Sequence, residues 1–238
     1  MKIDVEQVND VSLLVRFGDS IDINLPVTIS SANLILLNHF AELITDTIPA
    51  YTTLLVSFDD NAVESAEFIE NVKKILSEWE AQYDSENSTS GTFSDREILI
   101  PVYYHPEVAP DLEYLAQQKQ LSVEQVIQIH RRTIYTVYAI GFAPGFAFLG
   151  DVDERIATPR RATPRQNVAR GSIGIAGLQT GVYPRPSPGG WNIIGRTPTE
   201  MFFPEAAAEN LCPLKIGDHV RFDSITRNEF VSLGGYLD

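Results

Sequence analysis

The chain has 238 residues, of which 44% are hydrophobic and 21% are charged, a composition typical of one large or two small globular domains. Its formal net charge of -14 argues against general nucleic-acid binding, because a protein that follows phosphates needs a basic surface. The only cysteine, Cys212, excludes an intrachain disulfide and is typical of a reducing compartment. No apolar run suits a membrane span and the first ten residues lack a signal-peptide core, so we expect a soluble cytoplasmic protein.

The first part of the chain alternates between strand and helix patterns. The predicted elements are a hairpin with strands over residues 3–8 and 11–17, a helix over residues 28–45, a β-rich stretch over residues 51–58 and a helix over residues 64–83. This order predicts a small N-terminal α/β sandwich domain over residues 1–83. A polar stretch of small residues follows, and we predict a linker over residues 84–96.

The remainder, residues 97–238, combines two short helices with many short strands. We predict helices over residues 111–119 and from Ser122, where Gln125 completes a capping box. The predicted strands cover residues 97–104, 135–140, 172–176, 191–195, 219–223 and 229–233. Many short strands separated by Gly- and Pro-rich turns predict a closed β-barrel, so the fold class of the whole chain is α+β.

Arginines are concentrated in one segment of this acidic chain. Residues 155–199 contain seven arginines and neither acidic residues nor lysines. An isolated positive segment attracts anions, and guanidinium groups bind carboxylate or phosphate through paired hydrogen bonds. We predict that Arg160, Arg165 and Arg196 face one anion-binding cleft, together with Gln179, Thr180 and the loop from Ser187 to Trp191. The alternative is that these arginines pair with acids elsewhere in the chain or on a partner.

Two Gly- and Pro-rich segments contain polar and aromatic residues that a simple turn would not need. Backbone N–H groups in such turns form anion-binding nests. The candidate binding residues in them are Gln179, Thr180, Tyr183, Ser187, Gly189, Gly190 and Trp191. The glycines of residues 171–177 fit no nucleotide-binding motif, and close packing of a strand is favoured over a phosphate loop.

A further turn candidate is Pro144-Gly145, which predicts a type II turn and belongs to the candidate binding residues. It stands among three phenylalanines that either line an apolar pocket or cover the barrel core.

His130 is the candidate catalytic residue. It follows Val126 by four residues and so lies on the apolar face of the predicted capped helix. A half-buried histidine with a near-neutral pKa can transfer protons, whereas the alternative is a core histidine that a carbonyl satisfies. The four histidines are scattered without acidic or cysteine neighbours at ligand spacing, so no metal site is predicted.

Several of these segments resemble one family, the 5-oxoprolinase B-subunit family, also called KipI or allophanate hydrolase subunit 1. His130 fits the family pattern as well. The motifs that carry the resemblance are Phe142-x-Pro144-Gly145-Phe146-x-Phe148-Leu149, Thr158-Pro159-Arg160, Pro164-Arg165, Gly171-Ser172-Ile173-Gly174-Ile175, Gln179-Thr180-Gly181-Val182-Tyr183-Pro184 and Ser187-Pro188-Gly189-Gly190-Trp191-x-Ile193-Ile194-Gly195-Arg196-Thr197.

The resemblance implies a small α+β domain followed by a cyclophilin-like β-barrel of the carboxyltransferase C/D type. It implies an enzyme subunit, inactive alone, that works with subunits A and C to convert 5-oxo-L-proline to L-glutamate with ATP shared among the subunits. In that assembly His130 would move a proton. The resemblance also leaves open two other functions, a KipI-like inhibitor of a histidine kinase and a subunit of an allophanate- or urea-carboxylase-type activity.

Two positions depart from the family pattern. The segment before the first helix of the barrel, Tyr103 to Leu112, lacks the glycines that the family usually has there. Phe148 stands where tyrosine is common, so a hydroxyl contact at that position is lost. A prolyl isomerase activity would rest on analogy of fold alone.

Overall fold

The structure, a computed structural model, describes residues 3–87, 96–207 and 211–237. The chain divides into two compact units, Met1–Ser94 and Asp95–Asp238. Both combine antiparallel strands with helices, which confirms the α+β class. No helix within the described ranges combines the length and the apolar character needed to cross a bilayer.

The sequence predicted a hairpin, a helix, one or two strands and a helix for the first unit, and the structure has two strands between the helices. Its elements are β1 (Asp4–Asn9), β2 (Ser12–Arg16), α1 (Leu25–His39), β3 (Ile44–Ala50), β4 (Thr53–Phe58) and α2 (Ser65–Asn87). The strands pair antiparallel in the order β1-β2-β4-β3. Apolar side chains of the two helices and of this sheet form one core.

The predicted bounds of α1 are wrong at both ends. The helix begins at Leu25 because Pro26 suits the first turn, where a backbone N–H has no helical partner. It ends at His39, and Leu43 and Ile44 then pack on the same core from outside the helix. Those two residues extended the apolar spacing, which is why the predicted helix was too long.

The predicted linker over residues 84–96 needs a correction at its start. Helix α2 continues to Asn87, so the first four residues of that stretch are helical. Residues 88–95 of the linker lie outside the described residues. The proposed domain bounds of 1–83 and 97–238 stay a prediction.

The second unit contains the remaining elements. The strands are β5 (Glu97–Val102), β6 (Tyr135–Ile140), β7 (Ala147–Leu149), β8 (Arg165–Val168), β9 (Ser172–Ala176), β10 (Gln179–Val182), β11 (Ser187–Gly189), β12 (Asn192–Arg196) and β13 (His219–Ser224). The helices are α3 (Leu112–Gln118), α4 (Val123–Arg132) and α5 (Arg227–Ser232). The predicted capping box of α4 is confirmed, since Ser122 and Gln125 exchange hydrogen bonds of 2.8 and 3.1 Å.

The strands of this unit follow an open path in the order β5-β13-β6-β7-β10-β9-β12. Among the described strand pairs of this unit, β5 and β13 form the single parallel one, and β8 pairs separately with β11. Within the described residues, a single bridge joins the two ends of the path, where Tyr103 and Arg196 exchange backbone hydrogen bonds of 2.8 and 3.0 Å. Continuous pairing between strands therefore does not close the predicted barrel.

Two further expectations about this unit are wrong. Residues 179–182 form strand β10 and pair with β9, although their glycine and polar residues suggested a loop. Residues 229–233 belong mostly to α5 and not to a strand, because Thr226 and Glu229 form a capping box that starts a helix.

Candidate functional site

The ring of His130 lies in the interior of the second unit and is fully buried. Its Nδ1 lies 2.7 Å from the hydroxyl of Tyr104, and its Nε2 lies 3.2 Å from the hydroxyl of Thr180. The Thr180 hydroxyl donates to the Gly174 carbonyl at 2.9 Å, so it accepts from Nε2–H and the Tyr104 hydroxyl donates to Nδ1. The ring also stacks on Phe222, with ring centroids 4.6 Å apart.

Burial lowers the pKa of His130 from its ordinary value to about 3. The histidine is therefore neutral at physiological pH, and both ring nitrogens are engaged. The expectation of a half-buried side chain with a near-neutral pKa is wrong. Its partners are two hydroxyl groups and not the expected carbonyl, although this environment agrees with the alternative of a satisfied core histidine.

Aromatic side chains of the predicted binding segments pack against one another beside the sheet. Phe146, Tyr183 and Trp191 are buried, and each pair of their rings meets edge to face at 5.3 to 6.5 Å. Phe148 joins them at 4.8 Å from Phe146. Burial raises the pKa of the Tyr183 hydroxyl, opposed by a backbone hydrogen bond from Trp191 and by the charges of Arg160 and Arg165.

Glycines support this aromatic packing, as the strand interpretation of residues 171–177 predicted. A Cβ on Gly174 would lie 2.8 Å from Cβ of Trp191, so a side chain there would displace the indole. Gly189, in β11, lies against the Tyr183 ring, while Ser187 begins that strand. These residues shape the aromatic cluster, and nearby Gly190 accepts a hydrogen bond from the Arg161 backbone at 2.8 Å.

The Pro144-Gly145 turn is confirmed as type II. Phe146 donates its backbone N–H to the Ala143 carbonyl at 2.9 Å, and Gly145 has a φ of 82° at the third position. Pro144 is exposed, whereas Gly145 is buried against the backbone of Met201.

Asp111 organises two arginines of the arginine-rich segment. Its carboxylate accepts from Arg161 at 2.5 Å and from both terminal nitrogens of Arg165 at 2.7 and 2.8 Å. The backbone N–H of Ile193 donates a fourth bond at 2.7 Å. Asp111 is only 2% exposed, but the side chains of Arg161 and Arg165 remain 34% and 24% exposed. Those two arginines therefore present a partly accessible surface on a buried anchor.

A cleft of about 730 Å³ opens beside this ion pair, and we call it the arginine cleft. Its lining includes Pro110, Asp111, Tyr114, Thr158, Pro159, Arg160, Arg161, Ala162, Thr163, Arg165 and Asn192. Arg160 is exposed there, and the described part of the chain provides no acidic partner for it. The cleft is thus rich in cationic donors and in polar side chains.

Arg196 lies apart from the arginine cleft. It is 4% exposed, it donates to the Tyr236 carbonyl at 3.1 Å, and its guanidinium lies 5.1 Å from the centre of the Tyr236 ring. A second cleft of about 280 Å³ is lined by both Arg165 and Arg196. Arg165 therefore lines two clefts, and Arg160 and Arg196 do not share one of them.

The predicted single cleft is accordingly wrong in part. Arg160 and Arg165 lie together, but Thr180 is fully buried beside His130 and Gln179 begins β10. The alternative that acids from elsewhere neutralise the arginines holds for Arg165, which pairs with Asp111. It also holds for Arg170, which pairs with Glu200.

Sequence reasoning missed Asp111 and Arg161 as members of the site. The absence of acids from residues 155–199 implied that any partner must come from another segment, but not which one. Asp111 stands at the start of α3, fifty residues before Arg161. Across the described ranges, no group of three or more histidine, cysteine, aspartate or glutamate side chains could hold a metal ion.

Comparison with known proteins places the chain in a family. The family model of the carboxyltransferase domain, subdomain C and D, matches residues 3–213. The 5-oxoprolinase B subunit of Bacillus subtilis (strain 168) is 39% identical over 233 residues, which cover 95% of this chain and 94% of that protein. The chain belongs to the 5-oxoprolinase B-subunit family. The resemblance found in the sequence motifs is confirmed.

Two solved structures share the fold of this chain. The crystal structure of TTHA0988 matches 90% of this chain with a TM-score of 0.75 and 30% sequence identity. The match covers 40% of the TTHA0988 chain. The Kluyveromyces lactis urea carboxylase has a TM-score of 0.71 over 97% of this chain and 22% of its own, at 18% identity. At that identity the likeness to urea carboxylase establishes the shared fold alone.

Proposed function

We propose that this chain is the B subunit of an ATP-dependent 5-oxoprolinase, in which subunits A and C join it to convert 5-oxo-L-proline to L-glutamate. The observation that carries the proposal is the 39% identity to a 5-oxoprolinase B subunit over nearly the full length of both proteins. Identity that extends across both units supports a shared role more strongly than a shared fold does.

The chemistry of the arginine cleft is consistent with this function. The lactam substrate carries a carboxylate and ATP carries phosphates, and guanidinium groups bind both kinds of oxygen. Of the predicted binding residues, Arg160 and Arg165 meet this requirement in one place. The sequence has no Walker A motif, so we propose that ATP is held together with the partner subunits.

The other predicted site residues do not line the arginine cleft together with Arg160. Arg196 lines the neighbouring cleft with Arg165, and Tyr183 and Trp191 belong to the buried aromatic packing. Direct contact of these residues with substrate, like that of Pro144, Gly145, Gln179, Thr180, Ser187, Gly189 and Gly190, stays a prediction.

The proposed proton transfer by His130 also stays a prediction. Its two engaged nitrogens and its pKa near 3 leave no open position for a substrate atom in this conformation. These features favour a role in holding Tyr104, Thr180 and the strand of Gly174 together. The cyclophilin-like character of the second unit likewise remains a proposal, supported by the bridge that joins the ends of its open sheet.

Reconstitution tests the function. The purified chain mixed with its subunits A and C should release glutamate and phosphate from 5-oxo-L-proline and ATP, while the chain alone should be nearly inactive. Full activity of the single chain, or none from the complete set, would contradict the proposal. No feature of the described residues favours the kinase-inhibitor or the allophanate- and urea-carboxylase-type alternatives.

A further inference from the structure

The lining of the arginine cleft has a charge imbalance. Arg160, Arg161 and Arg165 contribute three positive charges and Asp111 contributes one negative charge, which leaves two positive charges uncompensated in the lining. On a protein with a net charge of -14, such a concave cationic site concentrates small anions. The volume of about 730 Å³ lies in the range of pockets that hold small organic molecules.

The Asp111 carboxylate is saturated and therefore cannot itself take a ligand. One oxygen accepts from Arg161 and Arg165, and the other accepts from Arg165 and from the backbone N–H of Ile193. At 2% exposure, this anchor fixes the positions of both guanidinium groups. Preorganised guanidinium groups lose less conformational entropy when they bind an anion.

Each of these arginines retains hydrogen-bond donors. A terminal guanidinium nitrogen carries two N–H bonds, and each of the three that contact Asp111 donates only one bond to it. The Nε of Arg161 is buried without a hydrogen-bond partner in the described part of the chain. That Nε has almost no accessible surface, so the remaining terminal N–H groups of the partly exposed Arg161 and Arg165 side chains are the donors available to a ligand.

Arg160 supplies the charge that Asp111 does not neutralise. It is exposed in the cleft and follows directly after Pro159, which restricts the backbone at that point. The backbone of the next residue, Arg161, is anchored to the Gly190 carbonyl at 2.8 Å. The base of the Arg160 side chain is therefore held while its charged end is available to a ligand.

Tyr114 provides an apolar surface in the same cleft. It follows Asp111 by three residues at the start of α3, which places both side chains on one side of the helix. Its side chain is half exposed. A half-exposed aromatic ring beside cationic donors suits the carbon skeleton of an organic anion better than a bare inorganic ion.

We propose that the arginine cleft binds a small organic anion, whose carboxylate or phosphate oxygens contact Arg160 and the remaining N–H groups of Arg161 and Arg165. Asp111 is the positioning residue of this site. The proposal deepens the proposed function and rests on it for the choice of probes, which are 5-oxo-L-proline as a carboxylate, a non-hydrolysable ATP analogue as an organic phosphate, and inorganic phosphate.

Calorimetric titration of the full chain, alone and assembled with subunits A and C, tests the site. Arg160→Ala should raise the dissociation constant of at least one organic probe by ~10-fold or more, the loss expected for a charge-assisted hydrogen bond. Arg185→Ala is the matched control, because Arg185 is an exposed arginine of the same segment that lines neither cleft. The control should change the constant by less than ~2-fold.

A dependence on Arg160 for 5-oxo-L-proline identifies the carboxylate as the anion, and a dependence for the ATP analogue identifies the phosphate. Equal constants for wild type and Arg160→Ala overturn the proposal, as does the absence of binding by every probe in both preparations. An assembled enzyme that turns over normally with Arg160→Ala refutes the site and leaves the proposed function standing. An inactive wild-type assembly that still binds an anion through Arg160 refutes the proposed function and leaves the site standing.

The role of Asp111 needs a measurement that loss of stability alone would not change. Asp111→Asn keeps the size of the side chain but releases both guanidinium groups, so anion binding should weaken even well below the melting temperature. In a double-mutant cycle, the effect of Arg160→Ala should shrink in the Asp111→Asn background. Tighter anion binding by Asp111→Asn, or full additivity of the two changes, would contradict a positioning role.

Discussion

The second unit contains two buried polar centres that are stabilised in opposite ways. At His130, two hydroxyl groups complete the hydrogen bonds of a neutral ring. At Asp111, two guanidinium groups and a backbone N–H donate hydrogen bonds to the carboxylate. In both arrangements the central group, the imidazole ring or the carboxylate, has hydrogen-bond partners for its polar atoms, which offsets the cost of burying it. They differ in access, because every member of the first centre is buried whereas the arginines of the second reach a cleft.

Burial of a polar group therefore does not by itself indicate a ligand-binding site. In the Tyr104–His130–Thr180 centre the chain of hydrogen bonds ends inside the protein, because the Thr180 hydroxyl donates to the Gly174 carbonyl. At the Asp111 centre, Arg161 and Arg165 keep N–H groups that Asp111 does not use, and both arginines line the arginine cleft. We therefore place ligand binding at the second centre and assign the first to the stability of the fold. Variants at the two centres test that division.

The pH dependence of stability due to His130 should be the strongest of these effects. The His130 pKa is about 3 in the folded protein and about 6.5 in an unfolded chain, so between these values the unfolded state binds a proton that the folded state does not. The free energy of unfolding therefore falls as pH decreases from about 6.5 to about 3, by on the order of 5 kcal/mol in total.

Urea unfolding of wild type and His130→Gln at pH 7.5 and pH 5 measures this contribution. Glutamine does not titrate, so the stability difference between the two proteins should shrink by about 2 kcal/mol at the lower pH. Stabilities that fall in parallel would mean that His130 is not held neutral in the folded state.

Removal of the Asp111 carboxylate should cause the next largest change in the free energy of unfolding. Asp111→Ala leaves two guanidinium groups without their counter-charge, and breaking a buried pair in this way costs about 3–5 kcal/mol. Asp153→Ala is the control, because Asp153 pairs with Arg155, whose side chain is 66% exposed. The hydrogen bonds from Arg155 lower the pKa of Asp153 to about 2, yet an exposed pair contributes less than about 1 kcal/mol. Equal losses in the two variants, measured by urea unfolding at pH 7, would refute the contrast.

Tyr104→Phe should have a smaller effect at the neutral centre. It deletes the hydroxyl that donates to Nδ1 of His130 at 2.7 Å and leaves a buried acceptor without a partner, at a cost of about 1–3 kcal/mol. Tyr114→Phe is the matched control, since that side chain is half exposed and should lose almost nothing. Thermal unfolding midpoints compare the two, and a neutral Tyr104→Phe would show that the bond contributes little.

Turnover by the assembled enzyme should respond least to a change at the neutral centre. His130→Gln, assayed at a temperature where the variant is folded, should keep the rate within a few-fold of wild type, because its hydrogen-bond partners Tyr104 and Thr180 do not line the arginine cleft. A loss of ~10²-fold or more with the fold and the partner binding intact would instead be the effect of a lost general acid or base. That result would return His130 to the catalytic role predicted from the sequence.

Local sequence signals were sufficient for much of the fold. Strands β6 and β9 have the predicted bounds, and the α4 capping box and the turn at Gly145 were correct because short motifs determine them. The same kind of motif at Thr226 was overlooked, and an amphipathic run of residues was taken for a strand.

The arrangement of the site could not be predicted in the same way. Placing His130 on the apolar face of α4 was correct, but its contact with Thr180 joins residues fifty positions apart. The contact between Asp111 and Arg161 has the same separation, and no periodicity or spacing encodes it. The charge pattern predicted an anion site among the arginines, whereas only the folded chain distinguishes Arg160, which has no acidic partner among the described residues, from Arg165, which pairs with Asp111.

A crystal structure of the assembled enzyme with 5-oxo-L-proline and a non-hydrolysable ATP analogue would show which of the two centres binds a ligand. We expect a carboxylate or phosphate oxygen of one of these ligands within hydrogen-bond distance of Arg160 and of Arg161 or Arg165, with His130 still bonded to Tyr104 and Thr180. Both ligands bound away from the arginine cleft, or the lactam in contact with a displaced His130, would contradict the assignment of ligand binding to the Asp111 centre.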